Sequence, residues 1–300
     1  MSSIVRGVHR FWFAEEDPRH LALVRILLTG ALIGLYLPRD LGVWGSVPYA
    51  FWFPQGSFEV LGFPKMAEAD VAALSVIWKI SLVTLCLGLQ TRCSAWVACT
   101  LGLYLVGLQH NFGKVNHGNT LVPIALFVLA FSRCGDALSV DAWLGRRQRP
   151  LSPAGDYRWP LRLLQVALLG VFFAAGVSKL RPAGWDWSAT ENLRNVLVLH
   201  HCGAHRPPTS IGLWLASSPF LYKPFAAIAL FSELAAPLAL ARRFRVPVLA
   251  GLIALILGIF VLFGFAPFSY LPLFFAFVRY PIRSRSEREE TVATPEAALA

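Results

Sequence analysis

The chain has 300 residues, of which 56% are hydrophobic and only 15% charged, with a formal net charge of +10. A soluble domain carries about 25% charged residues, so this composition, with apolar residues in blocks of about 20, excludes a soluble globular protein and indicates an all-α polytopic membrane bundle. The excess of positive charge does not point to nucleic acid, because the Lys and Arg residues sit in loops between apolar blocks, where they set topology.

The first twenty residues, with "AEEDPR" ahead of the first apolar block, do not form a signal peptide, so the first span is expected to direct insertion. Apolar segments follow at about 21–38, 70–89, 93–112, 119–137, 160–178, 224–241, 246–264 and 268–280. The last is short for a span, and Pro267 separates it from its predecessor, so it is expected to be tilted or re-entrant. Eight spans result, or seven if the last does not cross. Residues 1–280 then form one multi-pass membrane domain, and the polar 281–300 a disordered cytoplasmic tail.

Lys and Arg are about twice as abundant in one alternating set of loops as in the other. The richer set contains the N-terminus, Arg92, "GRRQRP", "ARRFR" and the C-terminal tail. This bias predicts a cell-membrane protein with both termini in the cytoplasm. It places 111–120 and the long 179–223 segment outside. Within the latter, Trp185 and Trp187 suit an interfacial aromatic belt, and "SATENLRNVLVLHH" predicts a surface helix capped by Ser188 or Thr190.

Two charges fall near the centres of their spans, Lys79 and Glu233. A charge at mid-bilayer costs about 2.5–3.5 kcal/mol on insertion scales unless it is paired or hydrated, and their similar depth predicts a structural buried pair. Arg25 lies one turn from the inner end of its span and is expected to snorkel. The five cysteines, Cys86, Cys93, Cys99, Cys134 and Cys202, form no C-x-x-C motif, so neither a zinc site nor a disulfide is expected. His200, His201 and His205 have the look of ligands, but adjacent helical histidines point about 100° apart, so no metal is expected there.

The polar concentration "NFGKVNHGNT" at 111–120 stands between two apolar runs. It reads either as a tight outer turn permitted by Gly113 and Gly118, or as the polar end of a lipid-accessible pocket. His110 and Asn111 lie about two turns before His117 and would line the same pocket.

Three blocks resemble the vitamin K-dependent gamma-carboxylase / HTTM-type membrane domain family. They are "RFWFAEEDPRHLALVRILLTGALI", "VNHGNTLVPIALFVLAFSRCGDALSVDAWL" and "GVFFAAGVSKLRPAGWDW". The resemblance implies that Asn116 and His117 surround a bound quinone, with reduced vitamin K or another isoprenoid quinol as cofactor. It also implies that Lys179 is the base that deprotonates the quinol, and that the oxygenated quinol then removes a glutamate γ-proton before CO2 adds. The family's late His/Asn pattern has no counterpart in "LIALILGIFVLFGFAPFSY", and a large luminal substrate domain is not expected. Quinol oxidation or lipid binding is therefore expected ahead of glutamate carboxylation.

Two function classes follow. One is an enzyme acting on a quinol through Lys179 and His117, with Asn116, His110 and Asn111 holding the cofactor. The other is a non-catalytic membrane component, an assembly factor or partner subunit for a soluble redox or substrate protein. Membrane lipids are partners in both, and nucleic acid in neither.

Overall fold

The computed structural model describes residues 3–113, 117–146, 154–202, 207, 209–265 and 267–278. Helix α1 spans Ser3–Phe13 and precedes a sharp entry into α2, Pro18–Tyr36. Asp17 sits in an extended conformation and its carboxylate accepts the Arg19 N–H at 2.8 Å, while Pro18 occupies the first turn, where a missing N–H costs nothing. After short helical turns at Val43–Ser46, Tyr49–Phe51 and Ser57–Leu61 comes α3, Glu68–Leu87. Glu68 and Asp70 lie in its first turn, favourable for the helix dipole, and Gly88 ends it in the left-handed region (φ 71°).

Helix α4, Thr91–Leu108, and α5, Leu121–Phe131, follow, then α6, Arg158–Ala183, and α7, Asn192–Cys202. Helix α8 is Pro219–Leu234 and α9 is Arg245–Phe263; the described chain closes with a 3₁₀ segment, Phe268–Phe277. The eight expected segments thus resolve differently. Five helical stretches are long and apolar enough to cross a bilayer: Pro18–Tyr36, Glu68–Leu87, Thr91–Asn111, Gly155–Ala183 and Arg245–Phe263. Helix α5 has 11 residues, about 16 Å of rise against a hydrocarbon layer of about 30 Å. Helix α8 is interrupted after 16 residues, where Pro237 turns the chain into a 3₁₀ stretch at Ala236–Leu240. Apolar length in sequence is therefore divided by prolines and turns into pieces shorter than a span.

Leu21, Leu28, Trp78, Leu82, Leu105, Leu126, Leu164 and Leu168 belong to one continuous core that joins α2 to α6 with the final 3₁₀ segment. That segment is unusually long for its type. It is held where it packs between α2 and α6: His20 Nε2 lies 3.1 Å from the Phe275 carbonyl, and Gln165 donates to the Ala276 carbonyl at 2.6 Å. Large apolar side chains such as Ile80, Phe127, Phe173, Ile228 and Leu257 point outward, as a lipid-facing surface requires. A smaller core of Leu197, Leu215, Ala216 and Tyr222 ties α7 to α8. Helix α7 begins slightly later than the sequence suggested. Its first bond runs from Asn195 N–H to the Glu191 carbonyl, and Thr190 instead closes the Asp186–Ala189 turn. The expected tail, residues 281–300, lies outside the described residues.

The buried charges depart from expectation. Arg25 does not snorkel. It is fully buried and donates to the carbonyls of Cys134 at 2.6 Å and Leu138 at 2.5 Å. The segment after α5 folds back over the start of α2, so water is farther from the guanidinium than those carbonyls are. Lys79 does not pair with Glu233. Its ammonium donates to the carbonyls of Arg39 at 2.7 Å and Leu37 at 3.3 Å, just past the C-terminal end of α2. Helix α3 packs on α2 and α4, whereas α8 packs on α6. Lys79 therefore meets orphan carbonyls at a helix end, and Glu233 finds another cation.

Candidate functional site

That cation is Lys179. Near the C-terminal end of α6 its ammonium contacts both carboxylate oxygens of Glu233. The Glu233 side chain is 7% exposed and that of Lys179 is 25% exposed, so the carboxylate is the more deeply buried partner. Gly176, one turn before Lys179, makes the approach possible. A Cβ there would stand 3.1 Å from the Glu233 Cβ and 3.0 Å from Leu234 Cδ2. The order Gly176, Ser178, Lys179 thus combines a close helix crossing with a cation one turn later.

One aromatic ring faces the lysine of the pair. The Lys179 ammonium lies 5.3 Å from the centroid of the Trp187 ring, within reach of a cation–π attraction. Trp185 stacks on Phe231 with centroids 5.6 Å apart and planes 28° apart. Of the two tryptophans expected at the interface, Trp187 therefore meets the Lys179–Glu233 pair, and Trp185 packs on α8 through Phe231. On the neighbouring face of α6, Ala174, Val177, Ser178, Arg181 and Pro182 line a shallow groove of about 530 Å³.

The remaining sequence candidates occupy different positions. Asn116 lies outside the described residues, as does the side chain of His117. The His117 backbone opens a 3₁₀ turn, His117–Asn119, just before α5. That turn lies at the N-terminal end of α5. At the opposite end, Tyr157 beside the start of α6 donates to Asp136 beyond α5 at 2.8 Å, so the two helices are antiparallel. Asn111 is 1% exposed, and its amide is fully engaged. It donates to the carbonyls of Gly107 at 3.0 Å and Leu108 at 3.3 Å and accepts the Gln55 N–H at 2.8 Å. This residue fastens the 53–55 loop to the end of α4. His110 is half-buried in the same turn. His201 directs its two ring nitrogens at the carbonyls of Leu197 and Thr209, 2.8 and 3.1 Å away, while His200 packs among Phe263 and Phe265. His205 lies outside the described residues.

A second polar assembly, at the opposite end of the bundle, was not anticipated. Asp141 caps the start of α4: it accepts the N–H groups of Gln90 at 3.0 Å and Thr91 at 2.7 Å, and the Thr91 hydroxyl at 2.8 Å. Burial alone would raise its pKa, but these hydrogen bonds and nearby Arg146 outweigh it and hold the carboxyl below its ordinary value. Burial pushes the neighbouring Cys134 thiol upward. A cavity of about 610 Å³ opens here, with Thr91, Arg92, Arg133, Asp136 and Arg146 on its walls. Arg25 and Asp141 thus explain why the "DPR…R" and "SVD" stretches occur together. The first reaches the carbonyls just before the second, and the second caps the next span.

A family model described as the HTTM domain matches residues 13–281. None of the curated proteins and none of the solved structures matches the chain.

Proposed function

The chain belongs to the HTTM domain family, and on that premise we propose that the Lys179–Glu233 pair is the proton-handling centre of a site for an isoprenoid quinol, such as reduced vitamin K, at the outer face of the cell membrane. The observation that carries this reading is a buried carboxylate in direct contact with an interfacial lysine whose ammonium faces the Trp187 ring. A quinol headgroup is itself flat and apolar with weakly acidic hydroxyls, and the residues fit it: the Trp187 ring for a face and a proton acceptor for its edge. When bound, a quinol supplies an acidic hydroxyl and two transferable electrons.

Lys179 can accept a proton only after releasing one, and Glu233 is the acceptor in contact with it. A proton passed along this contact leaves a neutral amine facing the Trp187 ring, which is the form a general base needs. Trp187 then stabilises the ammonium as it re-forms. His117 and Asn116, whose roles rest on the family resemblance, hold the opposite oxygen in this proposal. The inside-facing arginine bias supports both termini lying in the cytoplasm.

A second reading has its own support: the same ion pair joins α6 to α8 without any ligand, as a structural clamp in a non-catalytic membrane subunit for a soluble redox or substrate protein would. Quinol-dependent oxygen uptake by the reconstituted protein separates the two. Lys179→Ala is expected to abolish uptake while leaving quinone binding intact, and mass spectrometry of lipid co-purifying with the wild type is expected to find a quinone. Oxygen uptake by wild type that persists in a folded Lys179→Ala variant removes the lysine base and leaves the clamp.

A further inference from the structure

Independently of the quinol reading, we propose that a cleft at the other end of the bundle binds the headgroup phosphate of an anionic phospholipid. The cleft, about 290 Å³, lies where the starts of α2, α6 and α9 meet the end of the 3₁₀ segment. Arg158, Arg162, Arg242 and Arg245 all line it, against two carboxylates, Glu15 and Glu16. Arg158 already contacts Glu16 at 3.2 Å. Arg162, half-buried, donates to Gln165 Oε1 at 2.7 Å and has like-charged Arg158 and Arg245 beside opposite-charged Glu16 as electrostatic neighbours. Four guanidinium groups face two carboxylates there, and the excess of positive charge at a low-dielectric boundary is unfavourable unless a further anion joins it. Phosphate oxygens match the planar fork of arginine, and arginine is favoured over lysine where that geometry matters.

The surroundings select a lipid as the source of that phosphate. Helix α1 forms the rim: the Phe11 carbonyl accepts the Arg158 Nε–H at 3.2 Å, and the Arg162 guanidinium lies 4.5 Å from the centre of the Phe11 ring. Along α1, Ile4, Val5, Val8, Phe11 and Trp12 fall on one arc, and Arg6, His9 and Arg10 on the other. Ile4, Val5 and Val8 are exposed, at 76%, 47% and 55%. A short helix with an apolar arc and a basic arc, joined directly to a membrane span, lies in the interfacial plane. Its apolar arc gives the acyl chains a surface beside the arginines, which a free phosphate would not use.

The test uses the full chain in detergent micelles doped with phosphatidylglycerol or phosphatidylcholine, with retained lipid counted by native mass spectrometry. Wild type is expected to retain phosphatidylglycerol and to lose phosphatidylcholine. Arg242→Gln, an exposed position, and Arg162→Gln should each weaken retention about fivefold, the value of one interfacial arginine. Arg92→Gln, exposed near the same end but outside the cleft, should leave retention unchanged. Equal retention of phosphatidylcholine, an equal loss in Arg92→Gln, or full retention in Arg242→Gln and Arg162→Gln overturns the site. Displacement of the lipid by inorganic phosphate at about 10 mM overturns the lipid assignment in favour of a soluble anion.

Discussion

Neutralising one partner of the Lys179–Glu233 pair should have unequal consequences, and the inequality follows from exposure. Lys179→Met strands a carboxylate that is 7% exposed. The group escapes by binding a proton, and holding an ordinary carboxyl protonated at pH 7 costs about 1.36 kcal/mol for each unit between about 4.3 and 7, or about 3.7 kcal/mol. Glu233→Gln strands an ammonium that is 25% exposed and keeps the Trp187 face. Partial hydration and a cation–π contact reduce its penalty to about 1–2 kcal/mol. The double variant, with neither charge, should recover most of the larger loss, because no buried carboxyl must then bind a proton. Reversible unfolding in mixed micelles measures all four proteins. The stranded carboxyl also predicts a pH signature. The Lys179→Met penalty grows as pH rises above the unfolded carboxyl value and shrinks to about 1 kcal/mol near pH 5. Additive losses, or a larger loss in Glu233→Gln than in Lys179→Met, would refute the reasoning.

Four further outcomes are expected. Arg25→Met leaves the carbonyls of Cys134 and Leu138 without their donor and should destabilise by about 2–6 kcal/mol, read in the same unfolding assay. Gly88→Ala forces a left-handed residue (φ 71°) whose Cβ would stand 2.3 Å from the Ser139 Cβ and 2.8 Å from its Cα; the loss should be about 2–4 kcal/mol of stability, or of expression yield. The depressed carboxyl of Asp141 contributes stability that is complete above the unfolded value of about 3.9 and disappears as pH falls through its lower folded value; Asp141→Asn should lose about 1–2 kcal/mol at pH 7 and show a flatter acid limb. Cysteines introduced at positions 116 and 147 should respectively accept and escape a membrane-impermeant label on intact cells, and the reverse pattern would invert the proposed orientation.

The helical class was legible because helices alone satisfy so much apolar backbone in a membrane, and the starts of α3, α4 and α9 fall within about two residues of their hydropathy blocks. Span count was less legible. Hydropathy sees α8 and the stretch after it as one block, whereas Pro237 and a 3₁₀ turn divide them. Position along an apolar block did not predict partners: Lys79 and Glu233 both fall near the centres of their blocks, but Glu233 lies in the last turn of α8, and that helix packs on α6. The better signal was Gly176. A glycine one turn ahead of a lysine marks a close helix crossing, and the helix that crosses there brings the carboxylate. The fate of Arg25 was hidden for a different reason, since its acceptors are backbone carbonyls, which every residue carries and no pattern of side chains reveals.

Those carbonyls impose a constraint on biogenesis. The acceptors of Arg25 lie 109 and 113 residues later in the chain. At a synthesis rate of about 5–20 residues per second, roughly 5–20 seconds separate the emergence of the arginine from that of its partners. During that interval the first apolar segment carries an unsatisfied cation, so it must wait at the bilayer edge or beside the insertion machinery with its guanidinium in contact with water or headgroups. Only when the segment following α5 has been made can α2 settle to its final depth. The first membrane-crossing helix synthesised is thus seated only after two later ones have followed it, and its arginine makes assembly of the bundle conditional on nearly half the chain having been delivered.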